Sequence, residues 1–125
     1  MALQKKLSIG YDDALAKIPE ALKTEGFGVL TEIDVKTTLK QKMNVDFRRY
    51  KVLGACAPQL AHAVVSKDPA AGVFMPCNVV VYEGDDGKAV VAAIDPLETL
   101  GAAVPSLRSV ADDARARLQR TLEKL

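Results

Sequence analysis

The chain reads as an α+β domain: a mostly antiparallel sheet with helices packed on it and a long helix at the C-terminal end. Three observations predict this. Valine-rich segments on either side of Gly84-Asp85-Asp86-Gly87 form a hairpin signal. Apolar residues at three- and four-residue steps from Leu107 to Leu125 mark a long amphipathic helix. No Gly-rich phosphate loop follows any strand pattern, and the hairpin is incompatible with a regular parallel sheet, in which every strand pair needs a crossover helix.

Taken in order, residues 2–9 alternate Leu3, Lys5, Leu7 and Ile9 against polar partners, an edge-strand pattern because Lys5 interrupts the apolar side. Residues 11–25 carry Ala14, Leu15, Ile18, Ala21 and Leu22 at helical spacing, with Gly26 as the stop. Pro19 lies inside that stretch and predicts a kink or a late restart, since it removes one backbone donor. Val29, Thr31, Ile33 and Val35 predict a second strand, and Val35, Leu39 and Met43 a short helix whose lysines form a solvated face.

Residues 47–55 read as a strand that is charged at its start, where Arg48 and Arg49 are expected to line an open surface, and apolar at its end. Leu60, Ala61, Val64 and Val65 predict a short helix, broken at Lys67-Asp68-Pro69. The hairpin arms are placed at 73–83 and 88–94, closed by Ile94-Asp95-Pro96. Residues 97–105 read as a connector, and Ser106 as the cap of the last helix, whose early aspartates and late basic residues suit the helix dipole. Val79 and Val81 face one way and Val80 and Tyr82 the other, so the hairpin has two apolar faces. Either a homodimer or helices on both faces would cover them.

The 125 residues, about half of them apolar, suffice for one domain spanning 1–125 and its core. A formal net charge of +1 supplies no field to gather nucleic acid or an anionic membrane, so neither is expected as a partner. No long apolar run and no signal-peptide pattern occur, which predicts a soluble, cytoplasmic protein. In that compartment two cysteines are expected as thiols rather than as a staple.

Those cysteines stand in unusual contexts: Leu53-Gly54-Ala55-Cys56-Ala57-Pro58 before a helix, and Met75-Pro76-Cys77-Asn78 before a strand. A thiol at a helix N-terminus meets unpaired N–H groups and the positive end of the dipole, which favour the thiolate. Cys56 is therefore the candidate nucleophile or ligand, and Cys77 joins it if the two strand ends are neighbours. Asn78 is a further candidate ligand-binding residue. His62, the single histidine, is either an ordinary surface residue or a third ligand. A set of Cys56, Cys77 and His62 would suit zinc or copper as Cu(I), with Met75 as a soft neighbour and no fourth ligand evident. Cysteine is equally a small hydrophobe that packs in cores.

No HExxH helix and no serine nucleophile elbow are present, and the paired aspartates at 12–13 and 85–86 sit where a helix start and a turn call for them. Enzymatic readings are therefore disfavoured. Three remain: a small dimeric binding module with a thiol site for a soft metal or a small thiol-reactive ligand; a thiol redox or persulfide-handling protein, with Cys56 attacking and Cys77 resolving; and a protein-interaction domain whose cysteines only pack.

Gly26-Phe27-Gly28-Val29-Leu30-Thr31-Glu32-Ile33-Asp34, Leu53-Gly54-Ala55-Cys56-Ala57-Pro58, Ala61-His62, Pro76-Cys77-Asn78-Val79-Val80-Val81-Tyr82-Glu83 and Ile94-Asp95-Pro96 together resemble the bacterial and archaeal domain-of-unknown-function family 302 over almost the whole chain. The resemblance implies a compact α+β domain that tends to dimerise, and it implies no established activity. Ala57 departs from the asparagine that often follows the first cysteine in that family, which removes a polar group beside Cys56.

Overall fold

The computed structural model describes residues 2–125. Five strands, β1 (Ala2–Gly10), β2 (Gly28–Asp34), β3 (Tyr50–Cys56), β4 (Cys77–Glu83) and β5 (Lys88–Ile94), form one sheet in the order β1-β5-β4-β3-β2. Every neighbouring pair is antiparallel. The helices are α1 (Tyr11–Thr24), α2 (Val35–Met43), α3 (Pro58–Lys67), the single turn α4 (Leu100–Ala103) and the C-terminal α5 (Arg108–Glu123). The α+β reading therefore holds, with β1 at an edge as its sequence implied.

Alternation divides the sheet cleanly. Leu53, Ala55, Val79, Val81, Ala89, Val91 and Ala93 point inward and form one buried cluster with Ala14, Ile18 and Leu22 of α1 and Leu118 and Leu122 of α5. Lys5 falls on this inner side, opposite Val91. Its ammonium donates to the carbonyl of Leu122 at 3.1 Å, so the long stem is accommodated while the charge meets a carbonyl in the last turn of α5 that also accepts from the Leu125 N–H. α1 continues through Pro19, which is exposed.

The turn from α1 to β2 shows why glycine stands at 26. Gly26 has φ +84°, and a Cβ there would come within 2.7 Å of the Arg117 guanidinium. Arg117 Nη1 in turn donates to the carbonyl of Glu25 at 2.9 Å. The Glu25 carboxylate accepts from Arg120 and Lys124, whose hydrogen bonds hold its carboxyl below the usual range. The turn that carries Gly26-Phe27-Gly28 is thus tied to α5 just before β2 begins.

Four boundaries differ from the sequence reading. β3 begins at Tyr50 rather than 47, and the arginines before it, on the surface as expected, are engaged in ion pairs: Arg49 with Asp12 and Glu83, Arg48 with Asp85. β4 begins at Cys77 rather than 73, because Pro69–Phe74 forms a 3-10 turn and Pro76 has no N–H to donate to a ladder. The connector contains α4, with Leu100 and Gly101 buried. Ser106 does not cap α5; it lies in a 3-10 turn, Pro105–Leu107, that runs directly into the helix, and no side chain caps it.

Tyr11, Ala14, Ile18 and Leu22 of α1 and Leu118 and Leu122 of α5 join the inner cluster, and α2 has no buried residue. Val52, Val80, Tyr50, Tyr82 and Ala92 on the outer side remain only half-buried, while Val90, opposite Tyr82, is buried at 8% exposure. Tyr50 and Tyr82 stack there with centroids 5.4 Å apart, and Phe47 adds a third ring 6.2 Å from Tyr50.

Candidate functional site

The ends of β3 and β4 lie side by side, with Ala55 paired to Cys77 and Gly54 to Asn78. Gly54 is required by this approach: a Cβ would overlap Thr31 Oγ1 and lie 2.8 Å from Pro76 Cγ. From Cys56 the chain passes through the N-cap Ala57 into α3, which starts with Pro58 at its first turn. The peptide before Pro76 is cis. The two cysteine-bearing segments therefore converge at one end of the sheet, beneath α3.

They enclose an apolar cavity of about 50 Å³, lined among others by Cys56, Cys77 and Met75. Phe27, from the turn before β2, and Phe74, from the 3-10 turn, contribute rings. Leu60, Ala61 and Val64 of α3 face Val110 and Ala114 of α5 across it, and Pro96, Thr99 and Leu100 complete the wall. A second buried cluster of Val64, Ala71, Leu100, Leu107 and Ala111 supports this side.

Both cysteines are free thiols and partly exposed. Burial in the apolar wall pushes the Cys77 thiol up to about 11, and the neighbouring Cys56 acts in the same direction. Cys77 is thus a neutral S–H at physiological pH. Its chemistry is that of a weak donor and a polarizable surface, not of a standing thiolate.

The other sequence candidates are placed elsewhere. His62 is exposed on α3, outside the cavity lining, although its neighbour Ala61 lines it. Asn78 is exposed, and strand alternation directs it to the outer side of the sheet while Cys77 joins the inner one. The expected trio of Cys56, Cys77 and His62 does not assemble: among the described residues, no three His, Cys, Asp or Glu side chains gather as a metal group. The helical spacing of α3 explains this, since the stripe that faces the protein is Leu60, Ala61 and Val64, and position 62 falls away from it.

Sequence reasoning missed the phenylalanines, the α4 segment and the α5 residues of the cavity. Their apolar character was visible, but it is the same signal that marks any core residue.

Asp95 follows β5 and is buried, at 7% exposure. Its carboxylate accepts from the Leu97 N–H at 3.0 Å and from Arg115 Nε at 3.1 Å, and its carbonyl accepts from the Thr99 hydroxyl at 3.3 Å. The Ile-Asp-Pro stretch is therefore a brace that turns the chain into the cavity wall.

The sequence pattern described as domain of unknown function DUF302 matches residues 3–125, nearly the full length. The chain belongs to the DUF302 family. Among solved structures, it is similar to an uncharacterized conserved DUF302 protein from Bacillus stearothermophilus, at 31% identity and a TM-score of 0.89, over 98% of this chain and 95% of that one. No curated protein matches this DUF302 chain. None of its described helices is long and apolar enough to cross a membrane.

Proposed function

We propose that this DUF302 protein is a small-molecule-binding module that works as a homodimer, with its ligand seated in the cavity lined by Cys56, Cys77 and Met75. One observation carries the reading: two separate signature segments deliver three sulfur atoms to a single apolar recess that the rest of the fold leaves unfilled. A close-packed interior has little reason to keep such a space. The thiol redox alternative draws less support, because a Cys77 thiol held protonated is a slow participant in exchange at neutral pH. The soft-metal version of the site lacks its third ligand, since His62 stands outside the recess.

The dimer rests on the outer sheet face. Ala92, Val80, Val52 and Ile33 lie in register across β5, β4, β3 and β2, beside the Tyr50–Tyr82 stack, and Ile33 is 52% exposed. An antiparallel sheet with a solvated face normally presents polar residues there. An apolar row in their place suits a second copy, which would bring the same row to an isologous contact.

Thiol labelling of the native protein tests the site. N-ethylmaleimide is applied to wild type, Cys56→Ser and Cys77→Ser, with and without reductant and chelator. Prompt labelling of Cys56 and slower, alkali-accelerated labelling of Cys77, with modification of either one slowing the other, is the expected result. Two thiols that stay silent until denaturation would reduce both cysteines to packing and remove the site.

A further inference from the structure

We infer that the ligand of this cavity is a small, uncharged aromatic molecule, an inference that rests on the cavity being the binding site. The lining contains no charged side chain. Its one hydroxyl, that of Thr99, already donates to the Asp95 carbonyl at 3.3 Å. The remaining polar side-chain groups are thiols, which are weak donors. An anion entering here would give up its water without gaining compensating donors, a hard metal cation would find neither carboxylate nor imidazole, and a soft one would have to displace the proton of the largely buried Cys77 thiol. Charge is therefore excluded by desolvation.

The composition of the wall narrows the class further. Cys56, Cys77 and Met75 bring sulfur-bearing side chains to the wall, and Phe27 and Phe74 supply phenyl rings. Sulfur makes favourable contacts at the edges of aromatic rings, and phenyl groups prefer ring partners in tilted or offset geometry. A saturated ligand would gain neither. The enclosed volume of about 50 Å³ sets the size. It is well below the roughly 150 Å³ of an apolar cavity that accepts benzene, so the ligand is no larger than a single ring and its entry requires a wall side chain to give way. Met75, unbranched and adaptable, is the residue suited to move.

Carbon-detected methyl spectra of the purified protein titrated with toluene, benzoate, methylcyclohexane and zinc ion test this, read at Val64, Leu100 and Met75. Toluene is expected to shift these methyls saturably, at least tenfold more tightly than benzoate and severalfold more tightly than methylcyclohexane. Equal or tighter binding of benzoate or methylcyclohexane would overturn the aromatic, uncharged assignment. Zinc binding that perturbs the same methyls, or protection of either thiol by zinc, with no response to toluene, would overturn the ligand class while leaving the cavity as the site. Silence towards every probe would overturn both. Two variants keep the result specific to the recess: Ala61→Leu fills it and should abolish toluene saturation, and Met75→Leu, which keeps the bulk but removes a sulfur, should weaken toluene severalfold while the circular dichroism spectrum stays that of wild type. Unchanged toluene affinity in a folded Ala61→Leu protein would place the binding elsewhere and sink the inference.

Discussion

The two faces of the sheet are built from alternating residues of the same strands, yet they meet different fates. On the inner side Val79, Val81, Val91 and Ala93 are closed off by α1 and α5, down to 0% exposure at Val81 and Val91. On the outer side Val52, Val80 and Ala92, equally apolar, are only half-buried. Hydrophobic character decides that a residue seeks cover; it does not decide what provides it. Helix placement does, and here both principal helices were committed to one side.

The sharpest way to break this comparison is to remove bulk from each side in turn. Leu118→Ala, at 1% exposure in the inner cluster, should cost about 2–5 kcal/mol through lost burial and a residual cavity. Val80→Ala on the outer side should cost less, about 1 kcal/mol in the dissociated chain, because it removes less bulk and the side chain already keeps part of its surface in water. Urea titration of dilute protein compares them, and equal losses would mean that the two faces do not differ as described.

Asp95→Ala is next in size. The change leaves the Leu97 N–H and Arg115 without their acceptor, and should destabilise by about 1–3 kcal/mol. If this brace positions the cavity wall, Thr99 and Leu100 should also lose amide-exchange protection ahead of the strands. Loss spread evenly over the chain would count against a local bracing role.

Cys77 gives a pH-dependent contrast between the sides. Its thiol titrates near 9 when unfolded and near 11 when folded, so the unfolded chain releases its proton first as the pH rises. The stability it supports is present in full below pH 9 and declines between about 9 and 11. Because the thiol is not wholly sequestered, the loss should amount to about 1–2 kcal/mol, and Cys77→Ala should flatten that part of the stability curve relative to wild type. A wild-type curve that already matches Cys77→Ala would show that burial does not hold the proton.

The smallest effect on stability should come with the clearest effect on assembly. Val52→Lys on the outer face should change the unfolding free energy of the separate chain by no more than about 1 kcal/mol, because this partly exposed position lets the lysine ammonium reach water. Sedimentation at micromolar concentration should nevertheless move from dimer to monomer. A dimer that persists would place the contact on another surface.

Much of the architecture was legible in the chain. The hairpin, the edge character of β1 and the long last helix each come from a short-range pattern: a turn signal, a misplaced lysine, a 3.6-residue repeat. Errors fell where two local signals competed. Val73 and Phe74 look like strand residues, but Pro69 starts a 3-10 turn and Pro76 delays the ladder. Ser106 looks like a cap, but the preceding turn enters α5 without one. For the cavity, Cys56 and Cys77 were singled out by their contexts and both line it, whereas His62 and Asn78 lie outside its lining because the periodicity of their elements turns them away.

Sequence alone therefore determined the class of the fold, the family and the two cysteine-bearing segments, since each depends on residues close together in the chain. Only the tertiary structure decided that those segments share one recess, that α4 and α5 line it, and that α1 and α5 pack into the same inner cluster of the sheet. The physical reason is that packing is non-directional: apolar surface is driven out of water wherever the topology brings it together, and residues as distant as Phe27 and Ala114 become neighbours through the sheet order and not through any pattern of their own.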